Sequence, residues 1–190
     1  MSEGYLNREF FAGDTVEVAR ALLGVTLIYG ECAGRIVETE AYKDDAASHA
    51  VTRPKQGALL RETYGCIYIF LAYGMYHCLN FTTERHGTGA VLIRALEPLQ
   101  GVEEMQRRRG GTDLRNLTNG PGKLFLALGL KPELHGEEVG KSVKLVRPAG
   151  LAEFEIVAGP RVGISNARDL PWRFFVKDNP FVSKAAGKPK

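Results

Sequence analysis

The stretch FLAYGMYHCLN, residues 70–80, decides the fold. A chain reversal normally carries Gly, Asn, Asp or Pro at its tip and is otherwise polar. Here Gly74 is the only turn former at the reversal, and Tyr73, Met75 and Tyr76 crowd around it. Apolar runs on both sides make residues 66–72 and 75–83 the strands of a β-hairpin with an exposed aromatic tip. A hairpin implies an antiparallel sheet, and the rest of the chain supplies more strands than helices.

Outward from the hairpin, residues 25–30, 34–42 and 90–96 (AVLIRAL) read as strands. Shorter strands are expected at 141–147, 154–158, 161–165 and 172–177. Asp14 with Glu17 three residues on resembles a capping box, and Val16, Ala19, Leu22 and Leu23 form an apolar stripe that Gly24 ends. Pro98 is expected to open a helix running to about Arg109, where Gly110 and Gly111 stop it. GPGK opens another, with Pro121 in its first turn and Gly129 closing it. Residues 43–63 are polar and irregular, the one long loop candidate. Most connections are too short for βαβ crossovers. The expectation is therefore an α+β fold: a single domain over residues 1–190, built on a curved, mostly antiparallel β-sheet with flanking helices, a protruding β-hairpin and a frayed basic tail at about 184–190.

At 190 residues and 44% hydrophobic, the chain can bury one good core. No apolar run reaches the roughly 18 residues of a membrane span, so no membrane partner is expected. The start, MSEGYLNREFFAGD, lacks an apolar signal region, which predicts a cytoplasmic protein, nucleoid-associated if bacterial. Cys32, Cys66 and Cys78 are odd in number and read as reduced thiols. His49, His77, His86 and His135 show no ligand spacing, so neither metal nor cofactor is expected. Residues 1–50 carry a net −5 and residues 51–190 a net +8. The basic segments, Arg107, Arg108, Arg109, Arg115 and Lys123 and then the tail from Arg168, suit a polyanion partner as well as a solvated surface.

Alternation in RIVETEAY puts Ile36, Glu38, Glu40 and Tyr42 on one face, each about 6.6–7 Å from the next. Carboxylates are depleted in strands, and an apolar company marks the face as partly buried. A semi-buried glutamate is a candidate general base. Arg94 lies inside an apolar run and needs an acidic partner, either Glu40 or another carboxylate. Tyr68, Phe70 and Asn80 share parity across the hairpin, and with Tyr42 and His49 they form either ordinary core or a slot for a flat ring. NGPGKL (119–124) places Lys123 at a helix start, an ordinary start unless a phosphate binds there.

The set VETEAY, AASHA, YGMYHCLN, LIRALEP, NGPGKL, GPRVGI and PWRFFV, in this order, resembles the alkyladenine (3-methyladenine) DNA glycosylase family over nearly the whole chain. The resemblance implies a monofunctional base-excision repair enzyme. Such an enzyme flips a damaged purine nucleotide, of 3-methyladenine type with hypoxanthine or ethenoadenine as further candidates, out of double-stranded DNA and hydrolyses its N-glycosidic bond. Carried over by motif, Glu40 activates the water, with Arg94 and the backbone carbonyl of Val162 positioning it. Tyr42 and His49 sandwich the base, Phe70 closes a third side and Asn80 forms the floor. Tyr73 intercalates in the vacated stack, and Met75, Tyr76, Lys123 and Arg115 meet the DNA backbone. A monomer is expected. Two departures stand out: Phe70 replaces a frequent tyrosine, and VTRPKQGALLRE (51–62) lacks the family's Thr-x-Arg-Asn pattern. Two rival classes are a non-catalytic nucleic-acid-binding module, which has no use for Glu40, and a nucleoside hydrolase using Glu38 and Glu40 as a carboxylate pair.

Overall fold

Pairing register fixes which side chains share a face of a sheet. In the computed structural model, which describes residues 4–150 and 153–183, β4 (Ile67–Ala72) and β5 (Tyr76–Thr83) form the expected hairpin with Tyr68 opposite Asn80. Their odd-numbered residues Ile67, Ile69, Leu79 and Phe81 enter the main core. β6 (Gly89–Gln100) pairs with the far edge of β5, and β3 (Cys32–Tyr42) with β6. The first part of β3 also pairs with β2 (Thr26–Tyr29), followed by β7 (Val143–Arg147) and β1 (Gly4–Tyr5). Its second part pairs with β9 (Arg173–Val176), which carries β8 (Ile156–Gly159). All of these pairs are antiparallel, and the fold is α+β as expected. The expected frayed tail, 184–190, lies outside the described residues.

Helices α1 (Thr15–Ala21), α4 (Val102–Arg108) and α5 (Pro121–Leu128) cover the core face, where Leu22, Ile36, Phe81, Ile93, Met105 and Leu124 are fully buried. Asp14 caps α1 by accepting from the amides of Val16 and Glu17, and Gly129, at φ 73°, closes α5. The opposite face carries α2 (His49–Thr52) and α3 (Ala58–Glu62). Ala50 and Leu60 pack there on Tyr68 and Ala90, with Leu59 and Phe70 partly buried beside them. Hydrogen bonds add to this small cluster: the Arg61 guanidinium donates to the carbonyls of Ala50 (2.8 Å) and Pro54 (2.7 Å). Gly57 permits the close return, since a Cβ there would lie 2.4 Å from the His49 carbonyl oxygen.

The structure corrects four expectations. Residues 43–63 are not a structureless loop, because α2 and α3 occupy their middle. Pro98 does not open a helix: it lies within the last part of β6, opposite Gly34 and beyond the reach of β5, where a missing N–H leaves no ladder bond unmade. The following helix starts only at Val102. Residues 161–165 form no strand. Finally, Ile36 does not share a face with Glu38 and Glu40. The register between β3 and β6 shifts between Ile36 and Glu38 and again between Glu38 and Thr39, leaving Val37 and Arg94 as the unpaired extra residues. The first bulge reverses the parity, so Ile36 joins the core with Ala41 while Glu38, Glu40 and Tyr42 remain together.

Candidate active site

One transverse row of the sheet builds the site. Tyr68 on β4 stands opposite Asn80 on β5, Asn80 opposite Leu92 on β6, Leu92 opposite Glu40 on β3, and Glu40 opposite Arg173 on β9. Tyr68, Asn80 and Leu92 line a cavity of about 580 Å³, together with Tyr42, His49, Phe70, Arg94 and the 162–166 loop. That volume suits a small flat ligand.

Glu40 is fully buried behind this cavity. Its Oε1 accepts from the Val162 amide (2.7 Å) and pairs with Arg94 Nη1 (3.3 Å), while Oε2 accepts from the Tyr42 hydroxyl (2.8 Å). Tyr42, Arg94 and Val162 all reach the cavity wall, so the carboxylate lies one side chain from it. Burial pushes the Glu40 carboxyl above the usual range; Arg94, the Val162 amide and Tyr42 pull it back only in part. Arg94 is aimed by its bulge, a device that redirects side chains beside functional sites. Of the two acidic partners considered for Arg94, it takes both: its Nε donates to Glu38 Oε1 at 3.2 Å. Val162 meets Glu40 directly through its amide N–H.

The ring-lined part of the cavity gathers the expected aromatic residues. His49 meets Phe70 edge-on, with centroids 4.5 Å apart, and its Nδ1 lies 2.9 Å from the Tyr68 hydroxyl. Burial pushes the Tyr68 phenol up to about 12, so it keeps its proton. Burial and Arg53 push His49 down. The imidazole is thus neutral near pH 7. Asn80 donates from its amide nitrogen to the carbonyls of Tyr68 (3.0 Å) and Cys78 (3.2 Å), which fixes its rotamer at the cavity floor. Among the described residues no three His, Cys, Asp or Glu side chains converge as metal ligands do.

The hairpin tip stands at the mouth. Tyr73 is 77% exposed, and Tyr73 (φ 52°) and Gly74 (φ 68°) both have left-handed backbones. For tyrosine this is a strained conformation. Its hydroxyl reaches the Gly163 carbonyl across the mouth at 3.4 Å. Met75 and Tyr76 are exposed beside it, and α5 begins against the Tyr76 ring at Gly122. Lys123, in the first turn of α5, donates to Asn119 Oδ1 (2.7 Å), and burial, followed by Arg109, pushes its ammonium down. Arg115 is exposed on a short 3-10 turn, Leu114–Asn116, and does not line the cavity. Arg107 pairs with Glu104, and Arg108 donates to the carbonyls of Ala127 and Leu128 at the end of α5. Those two arginines are therefore engaged within the molecule.

Sequence reasoning missed two groups of residues. Glu38 is fully buried and accepts from Arg94, from Arg173 Nε (2.6 Å) and from both the amide and hydroxyl of Ser183 (2.7 and 2.9 Å). Engaged at both oxygens and absent from the cavity lining, it is not placed to act as half of a carboxylate pair. Arg161, also buried, grips Asp45 with two nitrogens (2.7 and 3.1 Å) and the Ala41 carbonyl (2.9 Å), and its guanidinium covers the Tyr42 ring at 4.6 Å. The only sequence signal was an arginine in GPRVGI and a doubled aspartate after Tyr42, neither distinctive alone.

Comparison with known proteins identifies the family. The family model described as methylpurine-DNA glycosylase matches residues 9–180. A Nitrosospira multiformis protein is 43% identical over 182 residues, covering 94% of both chains. A Chlorobaculum parvum protein is 42% identical, covering 97% of this chain and 94% of its own, and a Clostridium novyi protein is 38% identical, covering 94% and 98%. The names of all three contain 3-methyladenine DNA glycosylase. The chain belongs to the methylpurine-DNA glycosylase family and is a DNA glycosylase, a hydrolase of DNA repair.

Proposed function

We propose that the protein is a monofunctional glycosylase that flips a damaged purine nucleotide out of duplex DNA into the aromatic cavity and hydrolyses its N-glycosidic bond with a water activated by Glu40. The observation that carries this reading is the buried Glu40 carboxylate, held by Arg94, Tyr42 and the Val162 amide at the edge of a ring-lined cavity. Its Oε2 accepts from one protein donor only, and a carboxylate oxygen has a second acceptor direction to offer a water. That water forms the new bond to C1′ of the deoxyribose, its proton passes to Glu40, and the purine departs with the electrons of the broken bond. A cationic alkylated purine leaves as a neutral base. It is also attracted by the aromatic faces of Tyr42 and Phe70. The same cavity is proposed to take hypoxanthine or ethenoadenine. Among the described residues no lysine lines it, which suits hydrolysis over a Schiff-base step.

Tyr42 and His49 take the two faces of the base, Phe70 a third side and Asn80 the floor. Tyr73 fills the vacated place in the stack, offsetting part of an unstacking cost of a few kcal/mol. Met75, Tyr76, Lys123 and Arg115 contact the DNA backbone. All of these groups come from one chain, so a monomer suffices. A single-turnover excision assay on duplexes holding one 3-methyladenine, 7-methylguanine, hypoxanthine or ethenoadenine tests the proposal. Wild type should release free base and Glu40→Gln should not. Equal release by both proteins would remove Glu40 from its role; binding of the lesion duplex without release by either would leave a lesion-binding module.

A further inference from the structure

The Arg94 guanidinium has three polar edges, and each meets a different residue. Nε donates to Glu38 Oε1 (3.2 Å), Nη1 pairs with Glu40 Oε1 (3.3 Å), and Nη2 donates to Ser183 Oγ (3.4 Å). A guanidinium between two carboxylates tends to swing onto one of them and form two parallel bonds with it. Here Glu38 Oε1, one of the two oxygens that fork would need, is already crowded. Its Oε1 already accepts from Arg173 Nε (2.6 Å) and the Ser183 hydroxyl (2.9 Å), and its Oε2 from the Ser183 amide (2.7 Å). Arg173 is anchored in turn by the Ser183 carbonyl at 3.2 Å and by the face of Phe175 at 4.8 Å. Glu38, Arg173 and Ser183 are absent from the cavity lining, so they act from behind it, through Arg94 and through the charge that Glu38 presents to Glu40.

We propose that Ser183 and Arg173 are positioning residues: by occupying and neutralising Glu38 they keep Arg94 from turning fully onto it and leave its Nη1 to hold Glu40. The inference rests on Glu40 as the base proposed above. The last described stretch of the chain thus completes the site from behind, 145 residues away from Glu38 in sequence. Without Arg173 or the Ser183 hydroxyl, Glu38 draws Arg94 toward itself, and Glu40 loses a cation while facing a less neutralised carboxylate. The other groups around Glu40 are fixed independently. Tyr42 donates to it from β3, the Val162 amide donates from the facing loop, and Arg161, stacked on Tyr42, is held by Asp45. Cys78 on β5 is a thiol that burial pushes up to about 12, so it adds no charge near neutrality.

The test is a carbon-13 carboxyl titration of the full chain, with the Glu40 signal assigned by its loss in Glu40→Gln. Arg173→Gln should raise the Glu40 midpoint by about one pH unit, which is roughly tenfold in the ionised fraction below it. Ser183→Ala, a small change that spares the amide bond, should raise it by less, and Arg173→Lys should restore most of the wild-type value. Single-turnover excision should fall by the same factor at acid pH and recover at alkaline pH, with lesion-duplex affinity unchanged. A midpoint unmoved in Ser183→Ala and in whichever Arg173 variant folds overturns the proposal, even where excision falls, because a merely structural role lowers activity without moving the titration. A midpoint that moves in a protein releasing no base keeps the network and removes the glycosylase reading of Glu40.

Discussion

The Tyr42 hydroxyl donates to Glu40 Oε2 across 2.8 Å, so a residue expected only as a wall for the base also holds the carboxylate. Burial pushes the Tyr42 phenol well above its ordinary value, and the nearby Glu40 charge pushes it further, so the donor never ionises in the working range. Tyr42→Phe keeps the ring and removes the donor. Glu40 then rises further, and the acid limb of the excision rate moves to higher pH. We expect a loss of about tenfold near pH 6, a bond to a charged group being about 1.5–3 kcal/mol, and near-wild-type rates near pH 9. A uniform loss at every pH would instead assign Tyr42 to stacking alone.

Glu40 should also make the fold pH-dependent. Burial holds its folded-state value above the ordinary 4.5. A raised carboxyl binds its proton more tightly in the folded state, so its contribution to stability is full below about pH 4.5 and is lost as pH rises through the folded value. Glu40→Gln removes that loss. The melting temperature of the variant relative to wild type should therefore be higher at pH 8 than at pH 4.5. Each kcal/mol recovered is worth about 2–4 °C in a chain of this size. A gap independent of pH, read by calorimetry, would show that Glu40 ionises in the fold at no cost.

Much of this was legible in the sequence, and the boundary has physical causes. The hairpin, the row Tyr68–Asn80 and the carboxylate strand follow from alternation, because backbone pleating forces it. The pairing of Arg94 with an acid followed from the cost of a lone buried guanidinium. Bulges carry no comparable mark: the one at Val37 reversed the face of Ile36, and the one at Arg94 let that residue reach two glutamates. Pro98 misled because proline opens helices and sits in edge strands equally well. Ser183 and Arg161 were invisible because their partners, Glu38 and Asp45, lie 145 and 116 residues away.

Tyr73 joins exposure to backbone strain, with φ at 52° and 77% of its surface open. A left-handed backbone costs a non-glycine residue roughly 1–2 kcal/mol. Tyr73→Gly should therefore fold at least as stably as wild type while losing the wedge. We expect excision from duplex DNA to fall at least tenfold, with excision from a lesion-bearing single strand nearly unchanged. Parallel losses on the two substrates would show that the ring is not needed to hold the duplex open. A clear drop in stability would show that the tip's contact with Gly163 outweighs the strain.

Arg161 and Asp45 tie the segment after Tyr42 to the 161–167 loop, and both side chains are almost wholly buried. Burial alone would raise the Asp45 carboxyl, but Arg161 and the Ala47 amide hold it below 3.8. A lowered carboxyl stabilises above its unfolded value and loses that contribution as pH falls through the folded one. Arg161→Lys keeps the charge but loses the two-pronged grip and the cover on Tyr42. Breaking a buried pair costs about 3–5 kcal/mol when a partner is left alone, and retained charge should hold this variant to the lower part of that range. Urea unfolding at pH 7 should show the loss, and at pH 3 the gap to wild type should narrow. Because Tyr42 holds Glu40 and backs the cavity, excision should fall together with stability. A stable variant with full activity would mean that the loop keeps its place without this pair.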